Sequence, residues 1–504
     1  MTMVDRSMAT PPVPRVLFAV PGAAVNAGLV DTAGRAGVGL LLDFFAPAAG
    51  AVAAALATLP GPVGVRLFHA APAVVGEVLA HRSRVARLWL EAGWYGTDTW
   101  GVLSGAQVPL GLVVGSRGDL EAASEHPEVP IIGRGHDAGG FAGPCSSLVV
   151  LQLLAADLGA PFWLEGGLDL TGAAAAVAVG AHGVVLGAAG WAFPEIGGRL
   201  AEVAGVARGV EAVRWANAEG QGFRGVVRPA PTDPGVLRRS IAGAPVADWP
   251  RRLPADLVPA GQDVEFARAN RERFQTLAAF LAEARTRVER AVSERATTLA
   301  GWPAAGAPMA RLLGCRYPIV QGPMARISDQ PGFVAAVAAA GALPVVAFGS
   351  LDARRCRNVW NETRRLGVRA GVGIIGLDLQ ADLVTRQLET LAGGMPPFLW
   401  VAAPRPEKCA DWVRQGHTVV AHAPARPLLT ALYEAGCRWF IAEGAESGGH
   451  IGRLSSMVLW QSLLAEIAAR GWATDSEAAA LAFKFAGELV DADEIERRLH
   501  ERAS

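Results

Sequence analysis

From Val16 onward, short runs rich in valine and leucine alternate with alanine-rich stretches, a pattern that predicts βα units on a parallel sheet. Eight such runs stand in the first part of the chain, at 16–20, 38–42, 63–68, 87–90, 110–114, 129–132, 162–164 and 183–186. Eight βα units closing on themselves make a TIM-type (β/α)8 barrel, and residues 14–205 lie near the lower limit of length for one. After Trp191 the alternation stops. Residues 206–306 read as a linker with proline-rich loops at 229–234 and 245–259. One amphipathic helix is expected between Val264 and Ala300, with Leu277, Phe280, Leu281, Ala284, Val288 and Val292 as a single apolar stripe. The rhythm resumes at 318–321, 343–348, 371–375, 398–402, 418–421 and 439–442, so residues 307–470 predict a second barrel of six strands. Residues 471–504 read as a charged helical tail without a further strand. The expected fold class is α/β: tandem TIM-type barrels, the second incomplete, joined by a partly helical linker.

Composition changes this picture little. A formal net charge of -1 over 504 residues argues against a nucleic-acid partner and for small-molecule ligands. The opening MTMVDRSMATPPVP lacks the apolar core of a signal peptide, so a cytoplasmic location is expected. The apolar stretch 172–193 holds five glycines and a histidine and changes period after Gly180, which predicts a short helix and a buried strand, not a membrane span. The cysteines at 145, 315, 356, 409 and 437 form no CxxC pair and no metal-ligand spacing, so neither disulfides nor structural zinc are expected.

The densest chemistry lies at 439–467, WFIAEGAESGGHIGRLSSMVLWQSLLAEI, an apolar strand, a glycine-rich loop and a helix. Ser455 and Ser456 are placed to cap that helix, and Met457, Trp460, Leu464 and Ile467 recur at helical spacing. Gly448 and Gly449 let backbone amides approach a planar or anionic ligand, and His450 titrates near neutral pH. Taken alone, a histidine in such a turn more often hydrogen-bonds a carbonyl than reacts. Glu443 and Glu446 read as rim carboxylates that hold the loop. GVGIIG at 371–376 matches a dinucleotide pattern only formally, since it lies inside an apolar strand.

EGAESGGHIGRLSS, with PIVQGPMARISD at 318–329, resembles the signature of the nitronate monooxygenase family, which includes the FMN-dependent enoyl-acyl-carrier-protein reductases. More narrowly, residues 311–464 are similar to domains of this type within modular polyketide synthases. The resemblance implies (β/α)8 barrels with FMN at the strand ends and His450 at the catalytic position. It further implies that Gln321, Gly322, Pro323 and Met324 form the flavin-facing turn after the first strand. It implies an FMN-dependent oxidoreductase of the nitronate monooxygenase type, acting on a nitronate or nitroalkane. An enoyl-thioester reductase and a non-catalytic scaffold of a synthase are the alternatives, with other synthase domains or an acyl carrier protein as partners.

The two halves repeat one another: DAGGFAGPCSS at 137–147 lies over ESGGHIGRLSS at 446–456 at a constant offset of 309. The helix stripe Leu148, Leu151, Ala155 and Leu158 falls on Met457, Trp460, Leu464 and Ile467. In the first half Phe141 stands at the histidine position, and His136 reads as structural. That half keeps LEGGLD and VVLGAAG, whose Gly166, Gly167 and Gly187 are expected to offer residual phosphate or FMN binding. The second half has the opposite set. The leading expectation is that the chain is a fragment of a longer synthase; a decayed enzyme and a site shared by the halves are the other two.

Overall fold

Each of the eight apolar runs of the first half is a strand: β1 (Val16–Pro21), β2 (Gly39–Phe44), β3 (Val63–Leu67), β4 (Val85–Glu91), β5 (Leu110–Val114), β6 (Ile131–Arg134), then, beyond β7 (Gly140–Ala142), β8 (Phe162–Glu165) and β9 (Gly183–Leu186). The computed structural model describes residues 13–45, 47–158, 160–205, 212–216, 222–226, 244, 248–252, 257–298, 304–377, 381–449, 451–472 and 483–486. The chain divides into two units, Met1–Leu299 and Ala300–Ser504. In the first, β1 to β6, β8 and β9 form a closed parallel barrel, with Val16 of β1 opposite Val184 of β9. Such strands are apolar on both faces because helices cover the outside and side chains fill the inside. Leu17, Leu41, Trp89, Ile132, Trp163 and Val185 make that inner core, and the bare Cα of Gly111 leaves room for the Trp89 ring. Short polar residues start the outer helices: Asn26 accepts from Leu29 N at 2.9 Å and Ser116 from Asp119 N at 3.2 Å.

A small antiparallel sheet lies over the C-terminal end of this barrel, where β10 (Val213–Ala216), β11 (Gly222–Gly225) and β7 pair in that order, with Phe141 opposite Phe223. Its aromatic residues join Phe68, which follows β3, in one buried cluster with Trp215 and Trp249. The helix expected between Val264 and Ala300 is two helices, Val264–Phe274 and Leu277–Thr298. The break is at Gln275, whose φ of 61° ends the first helix, and Thr276 Oγ1 accepts from Ala279 N at 3.3 Å to start the second. Leu277, Phe280, Leu281, Ala284 and Val288 are buried, and the helix packs on Leu170–Val179 and Ala27–Ala36 of the barrel's own outer layer. Val292, expected in the stripe, is 37% exposed. The stretch 172–193 is the end of helix Leu170–Val179 followed by β9, and no described helix is long and apolar enough to cross a membrane.

In the second unit β12 (Val320–Gln321), β13 (Leu343–Ala347), β14 (Gly371–Ile375), β15 (Leu399–Ala402), β16 (Val419–His422), β17 (Trp439–Glu443) and β18 (Phe483–Ala486) form one seven-stranded sheet in chain order. The neighbouring strands are parallel throughout. This is an incomplete TIM-type barrel. Strand β18 corrects the expectation of a strandless tail: FKFA pairs along β17, Phe440 opposite Phe483. Four residues flanked by charge give too short a period to stand out. GVGIIG falls on β14, inside the sheet. Of the stripe expected on helix Ser456–Ala469, Met457 and Ile467 are buried but Leu464 is 42% exposed. The helix is rotated so that Leu459 and Leu463 meet the core instead.

Candidate functional site

The loop after β6 and the loop after β17 are the same structure built twice. In the first, Asp137 accepts from Ser147 N (3.0 Å) and Ser147 Oγ (2.6 Å); in the second, Glu446 accepts from Ser456 N (2.7 Å) and Ser456 Oγ (2.8 Å). A carboxylate thus clamps the loop to the following helix in both, which supplies the capping role assigned to Ser455 and Ser456 by their composition. Gly140 and Gly449 share a left-handed backbone, φ 78° and 91°. A side chain there would be strained in either loop. Duplication at the offset of 309 therefore holds at the level of single hydrogen bonds and dihedrals.

What lies over the loop differs. In the first half the ring of Phe45 sits against Gly140 and the Pro259 carbonyl against Gly139. In the second half, an added Cβ at Gly448 or Gly449 would meet no described atom within 4 Å. Among the described residues, one loop is covered and the other is open. Phe141, at the histidine position, is buried in the aromatic cluster, and the His136 backbone is bound at both ends, its N–H to Cys145 O (2.7 Å) and its carbonyl to Arg224 Nε (2.7 Å).

Below the covered loop, charged side chains fill the mouth of the first barrel. Arg66, at 0% exposure on β3, donates to Asp43 Oδ1 (2.9 Å) and Oδ2 (2.7 Å) and to Glu165, and Arg134 on β6 also meets Glu165. Burial alone would raise the Glu165 carboxyl, but the Arg134 and Arg66 guanidiniums hold it down to about 2. Asp43 is pushed up, chiefly by burial. Sequence reading missed this network, although its members are the polar residues at or next to the C-terminal ends of apolar strands, the signal by which barrel sites announce themselves.

The glycine turns expected to hold phosphate are also met from within the chain. Asp263, 4% exposed at the start of helix Val264–Phe274, accepts from Ala189 N at 3.0 Å, and a Cβ on Gly187 would lie 3.3 Å from the same oxygen. Gly166 and Gly167 adopt φ of 122° and 62° beside Asp137 and Glu165. The cavity bordered by Gly166, Gly187 and Asp263 measures about 20 Å³. That is room for one water, and the phosphate and three rings of FMN do not fit it.

Burial first, then the repulsion of Glu165 and Asp137, push the Asp263 carboxyl up to about 7 against the hydrogen bond from Ala189. The native state then binds a proton that the unfolded chain has released, from the ordinary aspartate range near 4 up to about 7. Stability is expected to fall as pH rises through that window and to level off above it. In Asp263→Asn that slope should flatten, with a gain on the order of 2 to 4 kcal/mol at pH 8, read from denaturant melts at pH 5, 6, 7 and 8. An unchanged slope in the variant would assign the pH dependence elsewhere.

In the second unit, Gln321, Gly322, Pro323 and Met324 follow β12. Gln321 Oε1 accepts from Val345 N at 3.2 Å, Pro323 packs on Gly373 of β14, and Met324 N donates to Ser328 Oγ at 2.9 Å while its side chain stays 39% exposed. His450 lies outside the described residues. The adjacent strand ends bring together a pair not singled out from sequence: His422, last in β16, contacts Glu443, last in β17, through Nδ1 and Oε2, and both are buried. The Nε2 of His422 is buried and finds no hydrogen-bond partner among the described residues. Trp460 Nε1 donates to Ala442 O at 3.0 Å and fixes the end of β17. No described group of histidine, cysteine, aspartate or glutamate side chains could hold a metal ion.

No family model matches the chain, and no curated protein does. Among solved structures it is similar to FabK from Thermotoga maritima, at 17% identity over 57% of this chain and 95% of that one, with a TM-score of 0.44. It is also similar to nitroalkane oxidase from Streptomyces ansochromogenes (18%; 55% and 97%; 0.39). A third likeness is to the enoyl reductase domain of MlnA from the macrolactin biosynthesis cluster of Bacillus amyloliquefaciens (10%; 57% and 97%; 0.40). At these identities the likenesses say nothing of chemistry.

Proposed function

We propose that this chain is an FMN-dependent oxidoreductase of the nitronate monooxygenase type in which the second unit carries the reaction and the first is a closed repeat. The observation that carries the reading is the contrast between the two copies of one loop: the same backbone is covered by Phe45 and Pro259 in the first unit and, among the described residues, open at Gly448 and Gly449 in the second. Duplicated sites diverge in this way when one copy is kept for binding and the other for packing. The turn at Gly187 to Ala189 then holds the chain's own Asp263 carboxylate in place of a flavin phosphate.

The residues of the second unit suit a planar, partly anionic group. Gln321, Gly322, Pro323 and Met324 would lie along it, the amides at Gly448 and Gly449 can approach it without a described side chain between, and His422 Nε2 is a buried polar atom with no hydrogen-bond partner among the described residues. Bound FMN would supply two-electron chemistry that no side chain here offers. His450 would remove or orient the proton of a substrate whose carbon is acidic beside a nitro group. Glu443, against His422 Nδ1, would fix that imidazole's tautomer, and Glu446 is kept for the loop.

The test is a titration of the purified full chain with FMN, followed by oxygen consumption with propyl-2-nitronate and, separately, NAD(P)H oxidation with an enoyl thioester. One flavin per chain and nitronate-dependent oxygen uptake are expected. Flavin binding with enoyl-thioester turnover alone would move the assignment to a reductase, and a chain that gains no flavin absorbance would be a scaffold.

A further inference from the structure

Beside its filled centre, the first barrel keeps one roomy space. A cavity of about 420 Å³ lies at the C-terminal ends of β3 to β6, walled by Phe68 and Phe141, with Glu91, Ser116, Asp119 and Arg134 on its polar side. That volume is in the range of small-molecule sites, and this face is the one on which barrels of this kind bind ligands.

The ligand's charge follows from what the polar groups already do. Arg134 is committed: Nε donates to Phe141 O at 2.8 Å, and its terminal nitrogens meet the Gly139 carbonyl and the Glu165 carboxylate. Arg66 is held between Asp43 and Glu165. Asp119 accepts from Gly115 N at 3.0 Å through one oxygen only. Glu91, last residue of β4, has no hydrogen bond or ion pair among the described residues. Arg66 and Arg134 are taken up by Asp43 and Glu165, and Arg214 donates to Gly143 O at 3.1 Å, so the two carboxylates that line the cavity, Glu91 and Asp119, have no ion pair among the described residues and stand beside an aromatic wall. Burial and then Asp119 push the Glu91 carboxyl up to about 7, against the pull of Arg134 and Arg66. Near neutral pH the cavity thus holds a proton where it could hold a cation.

We propose that this cavity binds a small organic ammonium ion, its N–H groups donating to Glu91 and to the second oxygen of Asp119 and its alkyl part lying against Phe141. Ammonium groups pair with carboxylates and with ring faces, and neither an anion nor a neutral alcohol gains from both. The inference is independent of the flavin reading, which concerns the other unit.

The test uses the full chain with n-propylammonium, and with propionate and n-propanol as controls of the same size, in ligand-observed NMR and thermal melts at pH 8. Propylammonium is expected to bind and the controls are not. Glu91→Gln, nearly isosteric, should weaken binding at least tenfold, and Asp119→Asn by less. Lowering the pH from 8 to 6 should weaken it severalfold as protons compete at Glu91. His69 lies exposed at the cavity rim, so the pH series is run in a His69→Gln background to isolate Glu91. Equal binding of propanol, no binding of propylammonium, or unaltered binding by Glu91→Gln would each overturn the proposal. Should Glu91→Gln fail to fold, loss or persistence of binding at pH 6 in the His69→Gln chain decides it.

Discussion

Arg66→Met is expected to destabilise the first unit by about 3 to 5 kcal/mol, the usual cost of removing one partner from a buried ion pair. The side chain is fully buried and bonds Asp43 in a fork while also meeting Glu165, so its loss leaves the Asp43 carboxylate with no cation of its own. Arg134 still pairs with Glu165, which limits the damage to one carboxylate. The loss should shrink on acidification, because Asp43 can then enter the core protonated. Arg66→Lys keeps the charge but cannot span both carboxylates, and an intermediate loss is expected. Urea melts followed by tryptophan emission, with Trp89 and Trp163 inside the barrel as reporters, measure it. A loss below 1 kcal/mol in Arg66→Met would show that the network is dispensable and that the apolar layer beneath carries the fold.

His450→Ala is expected to lower turnover with a nitronate by about 10² to 10⁴, the range of general-base assistance, and to leave bound flavin in place. On the proposed reading the Gln321–Met324 turn and backbone amides would hold the cofactor, so its absorbance should be retained while the proton step is lost. The first-half counterpart, Phe141→Ala, should leave turnover unaltered and act on stability alone, because that ring is packed among Phe68 and Phe223. Unchanged turnover in His450→Ala would remove the imidazole from the reaction and turn attention to His422 and Glu443.

Local pattern carried most of the architecture. The valine and leucine runs recur with the spacing of βα units, and that period is legible without any contact being known; it placed eight strands of the closed barrel and six of the seven described in the open sheet. The repeat at 309 residues was legible too, and the clamps by Asp137 and Glu446 on equivalent serines show why the motif is kept: the loop needs a carboxylate and a hydroxyl at fixed spacing to meet its helix.

Long-range side-chain meetings were beyond it. Asp263 reaches Ala189 across 74 positions and Arg66 reaches Glu165 across 99, and no local period encodes which side chain will fill a turn once the barrel has closed. Sequence alone therefore determined two related barrels, one with an imidazole and one without, because strand periodicity and duplication are properties of neighbours along the chain. Only the tertiary structure decided that the first barrel's glycine turn meets its own Asp263 carboxylate while no described residue covers the second loop, because occupancy depends on which distant residues are brought to the same strand ends.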